Sequence, residues 1–263
     1  MGDCEMIYLT GSSGMVGTRF RELYTGKVTT ISYRDKVVDK FESHNQSCLV
    51  HLGWSSTTRD TDQEKVRNDI LNSGKLFEYY LDKNPNGKII FVSSAGDMHQ
   101  NHGGMFCGGM EVPVPRSLYG KSKLHVEQVL ESLQCKTVVL RTSNIWGGKV
   151  GRGRVNGLVD KLINAVDTDQ VVEIYANLDT IVDLIHLDDF IDLLFKVIDT
   201  DLDRQHELFL VGGQSISIGD IINRVSKKGT LNLKLKQRAD KSHINIQPFK
   251  AQHTFDWKRE NFL

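Results

Sequence analysis

Residues 6–24 constrain this chain more than any other stretch. A short apolar run, Met6–Thr10 (MIYLT), breaks directly into GSSGMVG, and Thr18–Tyr24 follow with helix-forming composition. A run of this length and character suits a strand buried on both faces of a parallel sheet. Gly11, Gly14 and Gly17 then allow a tight turn and let the backbone approach a pyrophosphate, whose charge the helix N-terminus stabilises. The spacing is GxxGxxG. A strand–turn–helix unit of this kind predicts a dinucleotide held at the first crossover of an α/β fold, against Gly11, Ser13, Gly14, Met15, Val16 and Gly17.

Strands and helices alternate along the first half. Val28–Ser32, Leu49–Gly53, Lys88–Val92 and Thr137–Arg141 read as strands, and Gln63–Asp82 and Leu118–Leu133 as helices. The second helix carries an apolar stripe of Leu124, Val126, Val129, Leu130 and Leu133. This alternation predicts a Rossmann-type, doubly wound parallel sheet with helices on both faces and ligands outside the carboxyl ends of the strands. Beyond Gly147 the character changes. Gly148, Gly151, Gly153 and Gly157 with Lys149, Arg152 and Arg154 mark a basic loop. A helix near Leu158–Val166, the segment Asp183–Ile198, a strand at Glu207–Val211 and a helix from Ser217 follow. We expect residues 1–147 to form an NAD(P)-binding domain. Residues 148–263 would then form a smaller substrate-binding part, interleaved with the first in space.

Tyr119 follows Ser94 by 25 positions and stands four before Lys123. A tyrosine hydroxyl, with an ordinary pKa of about 10, exchanges protons poorly at neutral pH. A nearby ammonium favours the phenolate, as does the positive ring of an oxidised nicotinamide. The i, i+4 spacing puts both side chains on one helix face. A serine hydroxyl at the end of the preceding strand would hydrogen-bond the reacting oxygen. YxxxK alone is a weak signal, and a second copy, Tyr79 and Lys83, lies before the serine-bearing strand and reads as a surface coincidence. The catalytic candidates are Ser94, Tyr119 and Lys123.

Composition excludes several classes. Thirty-three basic residues balance 33 acidic ones, so there is no electrostatic case for nucleic acid or membrane surfaces. Cys4, Cys48, Cys107 and Cys135 show no CxxC spacing and read as free thiols in a reducing compartment. MGDCEM lacks the later Ser/Thr of a myristoylation site, and neither a signal peptide nor a run of roughly 20 apolar residues is present. We expect a cytoplasmic enzyme. His99, His102 and Cys107 form too loose a set to hold a metal, and none is expected. Their glycine-rich stretch, HQNHGGMFCGG, reads as a lid, and His51 and His186 read as structural.

GxxGxxG, then SSA at a strand end, then YGKSK on the next helix resembles the extended short-chain dehydrogenase/reductases. The nearer likeness is to the NAD-dependent epimerase/dehydratase family in its nucleotide-sugar branch. SLYGKSKLHVEQVL is similar to the matching helix of UDP-glucose 4-epimerases. RTSNIWGG (Arg141–Gly148) and DLIHLDDFIDLL (Asp183–Leu194) resemble two further family motifs. The resemblance implies that Leu52, Gly53 and Ser93 pass the cofactor with Tyr119 and Lys123, and that Ser94 and Asn144 touch substrate. It also implies a homodimer through a four-helix seam.

The departures from the pattern narrow the reaction. Family members using NAD carry an acidic residue at the end of the second strand. Here Ser32 takes that place with Arg34 beyond it, a pair suited to a 2′-phosphate, so NADP is favoured over NAD although Asp35 remains available as a carboxylate. Ala95 and Gly96 stand where 4,6-dehydratases carry an Asp-Glu pair. Ala95 and Lys149 stand where GDP-fucose synthases use Cys and His. Val182 replaces the arginine that grips the substrate diphosphate, a role Arg152 and Arg154 could take. The chain also stops soon after FDWKRE, which fits a reduced substrate cap. The expected function is 4-keto reduction of a nucleotide sugar. The alternatives are 4-epimerisation with tightly held NAD, reduction of a small non-nucleotide carbonyl compound, and non-catalytic dinucleotide binding.

Overall fold

Six apolar segments lie side by side as parallel strands, and their order along the sheet sets where a ligand can bind. The computed structural model describes residues 4–32, 40–99, 111–148, 157–168, 170–236 and 243–263. In chain order the first half comprises β1 (Met6–Thr10), α1 (Met15–Leu23), β2 (Val28–Ile31), β3 (Ser47–His51), α2 (Gln63–Lys83), β4 (Lys88–Ser94), the one-turn α3 (Ala95–Met98), α4 (Leu118–Ser132) and β5 (Thr137–Thr142). Then come β6 (Asn144–Trp146), α5 (Leu158–Thr168), β7 (Val172–Ile174), β8 (Ile181–His186), α6 (Leu187–Asp199) and β9 (His206–Val211). The last elements are β10 (Gln214–Ser217), α7 (Ile218–Ser226), β11 (Leu233–Leu235) and α8 (Phe249–Phe255).

The main sheet runs β2-β1-β3-β4-β5-β9, parallel throughout. Its order reverses beside β1, so the crevice at the carboxyl ends of β1 and β3 is the switch point where such sheets take ligands. Strand periodicity divides the core in two. Ile7 and Leu9 face one side of β1 and join Val50, Ile90 and Leu140 with Phe20 of α1 and Phe190 and Leu194 of α6. Tyr8 faces the other side with Leu49, Ile89 and Phe91, against Leu76 and Phe77 of α2 and Val126 and Leu130 of α4. A separate cluster, including Val159, Leu162, Leu184, Ile216, Ile221 and Val225, joins α5, α7, β8 and β10. There β10-β8-β6 and β11-β7 make two small sheets.

Most boundaries fall within two residues of the sequence expectation, with one informative exception. Helix α1 starts at Met15 rather than Thr18, because the last two turn glycines are its cap and third residue: Thr18 N–H donates to Gly14 O at 2.8 Å. The sixth strand of the main sheet, β9, comes from residues 206–211 and pairs along β5 from Thr137↔His206 to Thr142↔Val211. The very short β6, β7, β10, β11 and α3, and the C-terminal α8, were not read from sequence.

Asp183 of β8 ties that strand to the turn after β9, to β10 and to the segment at Ile246. Its buried carboxylate accepts from Gly213 N at 2.8 Å, Ser215 Oγ at 2.8 Å and Ile246 N at 3.2 Å. Removing it strands buried donors, each costing about 1–3 kcal/mol. Asp183→Ala is expected to lose about 3 kcal/mol and roughly 6–12 °C in Tm by calorimetry; an unchanged Tm would contradict this account of the join.

Candidate active site

Helix α4 is aimed by its cap. The Ser117 hydroxyl accepts from Gly120 N at 3.0 Å and donates to the buried Asp97 carboxylate at 2.9 Å, and Asp97 lies in α3 directly after Ser94. From that fixed start, Tyr119, Lys123 and Glu127 recur every fourth residue along one face, turned towards the carboxyl ends of β4 and β5. Lys123 Nζ donates to Val92 O at 2.8 Å and lies 5.7 Å from the centroid of the Tyr119 ring. The Ser94 side chain lies close enough to the Tyr119 hydroxyl to oppose the rise of its pKa. Ser94, Tyr119 and Lys123 therefore converge. The second YxxxK does not share this place: Lys83, at the far end of α2, pairs with Asp82 at 3.0 Å.

Beneath them lies a buried ion pair that sequence reasoning missed. Glu127 accepts from Arg141 Nη2 at 2.7 Å and from Arg141 Nε at 3.1 Å, with 4% and 6% of the two residues exposed. Ser93 also donates to Glu127, so its hydroxyl is committed there and its backbone is what remains for a ligand. Arg141 Nη1 approaches His99 Nε2 at 3.4 Å. Extending the Tyr119–Lys123 spacing by four residues was the available signal for Glu127.

The electrostatics differ from the sequence expectation. Burial, then the Asp97 charge, pushes the Tyr119 hydroxyl up to about 12 against the opposing hydrogen bond from Ser94. Burial also lowers Lys123 to about 7, opposed by the Asp69 and Glu127 carboxylates. Desolvation of both groups outweighs the expected pull of the ammonium on the phenol.

The glycine turn is a cradle that side chains would fill. Gly11 has φ +67, and a Cβ there would lie 2.7 Å from Gly53 N. A Cβ on Gly17 would overlap Gly11 O. Gly14 caps helix α1 without any side-chain hydrogen bond, leaving backbone N–H groups at a positive helix end. A dinucleotide pyrophosphate fits this backbone, and Gly11, Ser13, Gly14, Met15, Val16 and Gly17 are the residues that would hold it. Ser32 lies exposed just past β2. Arg34, Asp35, Lys149, Arg152, Arg154, His102 and Cys107 lie outside the described residues. Among the described residues, no group of three His, Cys, Asp or Glu side chains is placed to hold a metal ion.

On the far side of the crevice, Asn144 is exposed at the start of β6 and donates to Asp183 O at 3.2 Å. Val182 pairs with Ile216 and packs into the smaller core cluster. His186 caps α6, accepting from Asp188 N at 3.2 Å, and Trp146 meets it edge-on at 4.7 Å.

His51, read as structural from sequence, lies buried between Thr10 and Ser73. Ser73 Oγ donates to Asp69 O at 2.7 Å, and Thr10 Oγ1 accepts from Gly53 N at 2.9 Å. Those two bonds assign the ring proton to Nε2, which donates to Ser73 Oγ at 2.9 Å, while Nδ1 accepts from Thr10 Oγ1 at 2.7 Å. Burial, then the Lys123 charge, lowers His51 to about 3. Its ordinary pKa is about 6.5, so between pH 6.5 and 3 the unfolded chain takes up a proton that the folded one refuses, and stability falls as pH falls. Below pH 6 this contributes about 1.4 kcal/mol per unit. Urea unfolding of His51→Asn is expected to show a shallower loss over that window; the same slope as wild type would refute a neutral, buried His51.

A model of the NAD dependent epimerase/dehydratase family matches residues 7–212. Among solved structures, the chain is similar to MoeE5 in complex with UDP-glucuronic acid and NAD, at 20% identity and TM-score 0.82, over 97% of this chain and 94% of that one. It is similar to UDP-glucose 4-epimerase of the hyperthermophile Thermotoga maritima with UDP-glucose, at 18% identity, TM-score 0.82 and the same coverages of 97% and 94%. It is also similar to RMD from Pseudomonas aeruginosa complexed with NADPH, at 16% identity and TM-score 0.78, again over 97% and 94%. At these identities the likeness is one of fold. No curated protein matches the chain.

Proposed function

The chain belongs to the NAD dependent epimerase/dehydratase family, and from that premise we propose that it is a nicotinamide-dependent enzyme acting at a sugar carbon, C4, of a nucleotide sugar. The observation that carries this reading is the convergence of Ser94, Tyr119 and Lys123 beside the glycine cradle. One loop bridges the two: Gly53 abuts Gly11, and the next residue, Trp54, lies 4.0 Å from Lys123 Nζ.

In this reading the bound nicotinamide supplies a hydride acceptor and donor. The protein moves the proton and fixes the geometry. Tyr119 takes the proton from the sugar O4 on oxidation and returns it on reduction. Ser94 hydrogen-bonds the same oxygen and orients it against the phenol. Lys123, as an ammonium, favours the phenolate. Ala95 and Gly96 offer no acid to expel water, which argues against dehydration.

Two reactions use these residues. The likeness to UDP-sugar 4-epimerases favours 4-epimerisation, in which the O4 proton and the C4 hydrogen, as hydride, leave and return within one active site. Ser32 and Arg34 and the likeness to an NADPH-bound structure favour 4-keto reduction. Purified protein should interconvert UDP-glucose and UDP-galactose without added cofactor in the first case, and should consume NADPH with a 4-keto nucleotide sugar in the second. In either case Tyr119→Phe is expected to lower kcat by about 10²–10⁴-fold while retaining nicotinamide dinucleotide binding. Wild type and Tyr119→Phe behaving alike, with binding but no turnover across such substrates, would leave a non-catalytic dinucleotide-binding protein. Turnover of non-nucleotide carbonyl compounds alone would move the substrate class instead.

A further inference from the structure

Trp54 has no role in the motifs that define the site, yet it is the aromatic group nearest the candidate lysine. The Lys123 ammonium lies 4.0 Å from the Trp54 ring centroid and 4.5 Å from that of Phe91. Lys123 is only 3% exposed, so its charge must be met by protein groups. An indole face is the strongest aromatic partner for a cation, and more so where water is excluded.

The indole does not lie there by packing alone. Trp54 Nε1 donates to Ser56 Oγ at 2.9 Å. Ser56 in turn gives its N–H at 2.9 Å and its hydroxyl at 2.7 Å to Asp69 Oδ2. Ser55 gives its N–H at 3.0 Å and its hydroxyl at 2.7 Å to Asp69 Oδ1. One buried carboxylate on α2 thus takes four hydrogen bonds from two consecutive residues. It holds the loop after β3 in the conformation that lays the indole across the ammonium. Bonds from backbone N–H to a charged acceptor are the stronger kind, and here they are out of water. The titratable groups facing Lys123 are Asp69 from α2, Tyr119 and Glu127 from α4, and His51 from β3.

We propose that Trp54 is a positioning residue: locked by Ser56 and Asp69, its indole holds the Lys123 ammonium in place beside Tyr119. The proposal rests on the reading of Lys123 as part of the reacting set, but the contact exists in the free protein and is tested there. If Trp54 holds the cation, removing the ring destabilises the charged form. If it merely keeps water away, removing it does the reverse.

The measurement is a pH titration by NMR of the wild-type protein labelled at lysine ¹³Cε, with the Lys123 signal identified by its loss in Lys123→Met. The same titration is run on Trp54→Leu, Trp54→Phe and Ser56→Ala. Trp54→Leu should lower the Lys123 midpoint by about one pH unit, and Trp54→Phe, which keeps an aromatic face, by a smaller amount. Ser56→Ala keeps the ring but frees it, and should shift the midpoint in the same direction. A midpoint that stays or rises in Trp54→Leu overturns the proposal. Should Trp54→Leu not fold, an unmoved midpoint in Ser56→Ala overturns it equally. A protein that shows these shifts but binds no nicotinamide dinucleotide would keep the contact and lose the catalytic reading, so the two failures are distinguishable.

Discussion

Backbone meets backbone where β1 and β3 end, and the site depends on that approach. Gly11, at φ +67, leaves no room for a side chain between itself and Gly53. Thr10 closes the contact by accepting from Gly53 N, then passes it through His51 and Ser73 to the Asp69 backbone. The Asp69 side chain binds Ser55 and Ser56, and Trp54 between them and Gly53 reaches Lys123. A continuous line of hydrogen bonds and packing therefore joins the glycine cradle to the lysine of the candidate reacting set.

Charge is handled by exclusion of water. Lys123 and the Glu127–Arg141 pair are buried in a layer between α4 and the carboxyl ends of β4 and β5. A buried ion pair is weak evidence for stability, because desolvation offsets most of the attraction. What this one does here is geometric. Glu127 binds the Ser93 hydroxyl, one residue before Ser94, and Arg141 extends the network to His99. The same dryness separates the protonation behaviour of Tyr119 and Lys123 from that of free side chains, pushing the phenol up and the ammonium down.

Much of the framework was legible from residues alone. Buried parallel strands announce themselves as apolar runs, so β1 to β5 and β9 were placed closely; α4 followed from its apolar stripe, and α2 and α5 from the alternation of strand and helix. Three- and four-residue strands such as β6 and β7 are too short to carry a period, and β10 reads as polar. The coming together of Ser94, Tyr119 and Lys123 was legible because their spacing along the chain reflects a strand end and one helix face. Asp69 and Trp54 were not, since a carboxylate clamped by two serines 13 and 14 positions away leaves no local pattern. The expected lowering of the tyrosine pKa failed for a related reason: burial is a property of the fold. Arg34, Arg152 and Arg154 lie outside the described residues, so the choice of cofactor phosphate and the grip on a substrate diphosphate stand as proposals.

The most direct test is a fluorescence titration of the purified wild-type protein with NADH and with NADPH, after release and identification of any dinucleotide carried through purification. The account predicts saturable, stoichiometric binding of one of the two, or co-purified NAD displaced only on unfolding. No carried dinucleotide and no binding of either would contradict the assignment of the glycine cradle and the Ser94, Tyr119 and Lys123 cluster to nicotinamide chemistry.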